Sequence, residues 1–106
     1  MRYRIVRLMI MFDLPVDTRE QRRDYRVFHK MLIREGFFMM QYSTYVRVCP
    51  SKTAANFLEK RIAEMAPDQG VVQSLIVTEA QYQSMNFITG KVSQDLRNSA
   101  ERTIIL

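Results

Sequence analysis

A single cysteine, Cys49, and a single histidine, His29, deny this chain several chemistries. One chain forms no disulfide, assembles no zinc cluster of Cys and His, and offers no metal site built from several imidazoles. Glycine is scarce as well. The three present, at 36, 70 and 90, are too dispersed for a phosphate-cradling loop and act as punctuation. No nucleophilic triad and no HExxH-type motif occurs. No apolar run approaches the ~20 residues that span a bilayer, and the N-terminal one contains Arg7 and lacks a small-residue cleavage pattern. A cytoplasmic protein with no membrane partner is expected.

What is present suits one soluble domain. The chain has 106 residues, 47% hydrophobic and 25% charged, enough for a modest core without staples. Sixteen basic residues stand against eleven acidic ones, a formal charge of +5, and this excess favours an anionic partner. Because many basic domains bind nothing anionic, the distribution of the charge has to decide.

The chain is organised around Arg4 to Asp13, an apolar run that ends on one carboxylate followed by Leu14 and Pro15. Such a run, bounded by a turn signal, predicts a buried strand. Val6, Leu8, Ile10 and Phe12 share one face; Ile5, Arg7, Met9, Met11 and Asp13 share the other. Neither face is polar. If helices cover the first, Met9 and Met11 still need a cover, and a second copy of the chain is the expected one, with Asp13 at the rim of the interface.

Asp17 or Thr18 can cap the next helix, with Glu20 or Gln21 as capping-box partner, and Gly36 supplies a left-handed stop after Glu35. At ~100° per residue, Arg19, Arg22, Arg23, Arg26, Lys30 and Arg34 fall within about a third of its circumference, opposite Tyr25, Phe28 and Leu32. A solvated face and a phosphate-backbone contact both explain such an arc. Phe37 to Val48 is rich in β-branched and aromatic residues and predicts extended structure. It either turns unconventionally at Tyr42-Ser43 or bends through a bulge. Ser51 caps a second helix to about Met65 with an inward stripe of Ala55, Leu58, Ile62 and Met65, and Val71 to Thr78 is the last strong strand.

The order β, α, β, β, α, β over residues 1–78 predicts an α+β fold of the ferredoxin-like kind, an open-faced sandwich. Residues 79–106 form an extension. Glu79 to Ser84 predicts a helical turn and Met85 to Ile88 a short strand. The terminal Ile104, Ile105 and Leu106 predict a strand that docks on a sheet edge or on another protein.

Asp13 is the one residue placed for chemistry. A carboxylate at a strand end before a proline loop serves as a turn or cap residue. Alternatively, a dimer dyad near this strand end brings two copies together, and the pair holds one Mg²⁺ or Mn²⁺ with waters completing the shell.

Several stretches carry a resemblance. Met11-Phe12-Asp13-Leu14-Pro15, the basic Arg22-Arg23-Asp24-Tyr25-Arg26-Val27-Phe28, the join Glu35-Gly36-Phe37 and the run Gln41-Tyr42-Ser43-Thr44-Tyr45-Val46 together resemble the second CRISPR-associated protein family, the small subunit of spacer acquisition. The match spans residues 1–88. The long first helix and the tail ending Glu101-Arg102-Thr103-Ile104-Ile105-Leu106 are similar to the version found with type II systems.

The resemblance implies a ferredoxin-like homodimer in which Asp13 is the metal-binding and catalytic residue, with metal-dependent nuclease activity on single-stranded RNA or double-stranded DNA known for some members. It also implies a scaffold for spacer integration, flanked by two dimers of the larger CRISPR-associated integrase, with protospacer DNA across the basic surface. Ser43 matches the family's Gln-x-Ser position as support for the site. Family members often carry tyrosine before the aspartate; here it is Phe12, so that hydroxyl is missing.

Three functions are therefore weighed: a duplex-binding scaffold, a Mg²⁺-dependent phosphodiesterase, and an RNA-recognition module on the same fold. The last would want stacking aromatics on the sheet and a glycine-aromatic motif, and the strands show neither.

Overall fold

The computed structural model describes residues 4–90. The expectations for Ile104, Ile105 and Leu106, and for a terminal strand, lie outside the described residues.

Four strands form one antiparallel sheet in the order β2-β3-β1-β4: β1 (Val6–Asp13), β2 (Phe38–Gln41), β3 (Thr44–Cys49) and β4 (Val71–Thr78). α1 (Arg19–Arg34) and α2 (Lys52–Met65) connect them, and a short α3 (Glu79–Gln83) follows β4. This is the α+β, ferredoxin-like arrangement, with β1 in an interior position because it is apolar on both faces. β1 pairs with β3 from Val6↔Cys49 to Met11↔Thr44 and with β4 from Val6↔Thr78 to Asp13↔Val71.

Local signals account for the element ends. Thr18 accepts from the Gln21 amide N–H, while the Gln21 side chain accepts from the Thr18 amide, a reciprocal capping box. At the other end Gly36 (φ 91) donates to Ile33 and Phe37 donates to Leu32, each at 3.0 Å, which closes a Schellman motif. Ser51 caps α2 through the Ala54 amide.

The β2–β3 connection uses both devices that the sequence left open. Tyr42-Ser43 forms a two-residue turn with Ser43 at φ 62, and the register also shifts between Met39 and Gln41. Serine in the left-handed region costs some strain, and the bulge re-aims the strand so that this turn can close.

The sheet face carrying Val6, Leu8, Ile10 and Phe12 packs on Phe28 and Leu32 of α1 and on Ala55, Leu58 and Ile62 of α2. Met65 departs from the expected stripe: it is 44% exposed because α2 ends there, past the edge of the core.

The second face differs from expectation. Met9 is already buried by its own chain, in a cluster with Phe38, Met40, Val46 and Tyr82, and Met11 remains half-buried. The reason is α3, which swings back across this face. Arg7 is fully buried there: Nε and Nη2 donate to the two carboxylate oxygens of Glu79 at 2.7 and 2.9 Å, and the guanidinium lies 4.1 Å from the centre of the Tyr82 ring. Tyr82 in turn donates to the Met40 sulfur. Met85 to Ile88 forms no strand; Met85 instead packs against the second cluster.

A guanidinium removed from water needs its carboxylate, so Glu79→Ala should lower the unfolding free energy by about 3 kcal/mol. A urea midpoint shift at unchanged slope reads it; an unshifted midpoint would mean the pair does not hold α3 down.

Candidate nucleic-acid interface and strand-end carboxylate

Two features stand out: the outer surface of α1 and the end of β1. The solvent side of α1 bears Arg19, Arg22, Arg23, Arg26, Lys30 and Arg34, every one exposed. The helix fixes this because Phe28 and Leu32, on the opposite side, are locked into the core. Arg22 is occupied, its Nη1 donating to the carbonyls of Val16 and Asp17 at 3.1 Å, where it closes the loop before the helix. The other five cations make no hydrogen bond or ion pair among the described residues. No acid stands four residues from any of these six cations, a spacing at which helical ion pairs form, and Glu35, just past the helix, is bound by Arg61 of α2 at 2.6 Å.

Asp13 ends β1 with its side chain exposed. The turn-or-cap alternative finds no support, since Thr18 caps α1 and the Asp13 carboxylate makes no hydrogen bond or ion pair among the described residues. The backbone around it is firmly held. The Phe12 amide donates to the Ser43 carbonyl at 3.0 Å, a main-chain bond that ties the strand end to the β2–β3 turn. On the other side Gly70, at φ 86, lies so close that a Cβ there would come within 2.5 Å of the Asp13 carbonyl oxygen. Gly70 was legible only as a turn signal; its approach to Asp13 is a long-range contact that no local pattern carries.

Behind the strand end lies an aromatic stack. Phe12 stacks on Tyr45 (centroids 5.4 Å, 16° between planes) and meets Tyr25 and Phe28 edge-on. The missing hydroxyl at position 12 thus corresponds to a ring buried in apolar company. Tyr45 is fully buried and hydrogen-bonds His29 Nδ1. Cys49 is also buried, and that burial pushes its thiol up, away from reactivity.

As a donor set for a divalent cation, one chain supplies one exposed carboxylate at this place, and no group of three or more His, Cys, Asp or Glu gathers among the described residues. This fits Mg²⁺, which is commonly held by one or two carboxylates with waters, and it does not fit a closed, all-protein cage. No helix among the described residues is long and apolar enough to cross a membrane.

Comparison with known proteins agrees with the fold. The family model described as CRISPR associated protein Cas2 matches residues 6–85. A protein of Ligilactobacillus salivarius named "CRISPR-associated endoribonuclease Cas2" is 62% identical over 101 residues, covering 95% of this chain and 100% of that protein. Its namesake in Lacticaseibacillus rhamnosus is 59% identical with the same coverage, and one in Streptococcus mutans is 37% identical over 95% of this chain and 93% of its own length.

Burial, aided by the Tyr25 phenol, pushes the Tyr45 hydroxyl from its ordinary 10.0 up to about 12. The unfolded chain releases that proton near the ordinary value and the folded chain only near the raised one. Stability is therefore whole below pH 10.0 and falls as pH rises toward about 12. In a urea series across that window, Tyr45→Phe should decline less steeply than wild type; parallel declines would show that other groups govern the alkaline limb.

Proposed function

Since the chain belongs to the CRISPR-associated protein Cas2 family, we propose that it acts as a homodimeric scaffold for CRISPR spacer acquisition that binds duplex DNA without regard to sequence. The observation that carries this reading is the arc of exposed cations on α1, five of them with no partner among the described residues. Such a surface tracks a phosphate backbone, and its affinity derives chiefly from released counterions. The half-buried Met11 and the exposed Val71 and Leu75 leave apolar area on the second sheet face beside α3, which a second copy would cover. Two dimers of the CRISPR-associated integrase flank this scaffold in the reading, with protospacer DNA laid along the basic surfaces.

A second activity has its own support. The relatives carry the name endoribonuclease, and the Asp13 carboxylate is exposed and unclaimed. In the dimer the two copies of Asp13 face each other and share one Mg²⁺ or Mn²⁺. When bound, that ion supplies Lewis acidity toward a phosphodiester and its water. The chain's part is to hold the carboxylates still, through the Phe12–Ser43 hydrogen bond and the Gly70 contact, and to lay the nucleic acid alongside. The substrate of this hydrolysis is single-stranded RNA or double-stranded DNA.

Charge reversal should be made at Arg23, Arg26 and Lys30, sparing Arg22 because it closes the loop at Val16 and Asp17. The triple variant should lose duplex affinity for all sequences alike, and its log–log salt slope should shrink by up to about three units, close to one per phosphate released. An unchanged slope would reduce the arc to a solvated face. Asp13→Ala should abolish divalent-ion binding and cleavage while duplex affinity stays at the wild-type level. Equal Mn²⁺ titrations for both proteins, or a monomeric solution mass, would remove the shared-metal mechanism.

A further inference from the structure

At the tip of the β2–β3 hairpin, Tyr42 stands 86% exposed, with no ring contact and no hydrogen bond among the described residues. It is not isolated. Tyr42 and the exposed Met39 line one side of an open concavity of about 190 Å³, and Tyr25, Arg26 and His29 of α1 line the other, with Tyr45 at its lining too. Tyr45 and His29 Nδ1 hydrogen-bond each other, which occupies the phenol and one imidazole nitrogen and leaves largely apolar ring surface at the lining. Arg26 differs. It makes no hydrogen bond or ion pair among the described residues, and it belongs both to this concavity and to the basic arc of α1.

We propose that this concavity is a stacking site for one unpaired nucleobase, with the base against Tyr42 and Met39 and the adjoining phosphates on Arg26 and the α1 arc. The inference rests on the nucleic-acid reading above and deepens it by giving an unpaired base a place of its own, apart from the Asp13 end of β1. Exposed aromatic rings beside a cationic groove are the general means of holding single strands, because every base has a π-face whatever its identity. The charge argues for this occupant over an apolar peptide, since a peptide would leave the neighbouring cations unmatched. A duplex riding on α1 could thus have a frayed or single-stranded end caught at the hairpin while its paired portion is held by phosphates alone. The turn geometry suits this: Ser43 at φ 62 and the bulge at Met39–Gln41 fix where Tyr42 projects. The sheet itself carries no such platform, which separates this site from RNA-recognition modules that stack bases on their strands.

The test uses the full chain and a single-stranded deoxyoligonucleotide carrying one 2-aminopurine, beside a fully paired duplex of the same sequence. Wild type should bind the single strand and change the 2-aminopurine emission. Tyr42→Ala should weaken single-strand binding roughly 5- to 150-fold and abolish the emission change, with duplex affinity and thermal midpoint as in wild type. Tyr42→Phe should bind as wild type does. Three results would overturn the site: single-strand affinity unmoved in Tyr42→Ala, a loss shared equally by the duplex, or wild type that binds duplex in a salt-dependent way and ignores the single strand. Wild type that binds neither probe would overturn the nucleic-acid reading along with it.

Discussion

β1 carries apolar side chains on both faces, and each face has to be withdrawn from water. That requirement places it between β3 and β4, where both edges are paired, and it obliges the molecule to find two covers. The first comes from α1 and α2, whose buried residues recur at helical spacing against Val6, Leu8, Ile10 and Phe12. The second is partial and comes from α3, anchored through Arg7. A charge in the middle of an apolar face would be ruinous if unmatched. Paired with both oxygens of Glu79 and roofed by the Tyr82 ring, it becomes the point that fixes where the chain goes after β4.

Much of the architecture was legible because it is written locally. Thr18 with Gln21, Gly36 after a basic turn, Ser51 before α2 and the apolar run 71–78 each mark an element boundary within a few residues. What could not be read was set at long range. Arg7 and Glu79 lie 72 positions apart, and nothing at either position names the other. Met9 therefore looked as if it needed a second chain, when Tyr82 reaches it from its own. The hairpin at Tyr42-Ser43 lacked the usual Gly or Asn signal because a bulge carries part of the bend. Met85 to Ile88 has strand-like composition but joins neither outer edge of the sheet; Met85 packs against the second cluster instead, so packing overrode propensity.

The candidate site divides in the same way. The arc on α1 is a matter of periodicity alone, and all six cations emerge where a straight helix puts them. The role of Arg22 in closing the preceding loop was invisible, because its partners are backbone carbonyls. Asp13 was conspicuous as the lone acid ending an apolar strand, and its surroundings explain why it can be both exposed and well placed. The flanking main chain is tied on one side to Ser43 and wedged on the other by Gly70, leaving the carboxylate itself uncommitted.

Gly70 also separates accessibility from tolerance. It lies at the surface, yet it combines a left-handed backbone with an approach so tight that any β-carbon would strike main chain, which cannot swing aside as a flexible side chain does. Evolution therefore has a single admissible letter at a position that a solvent map would colour as freely variable. A loop boundary far along the chain becomes, in effect, an inherited mould for the opposite strand's last peptide.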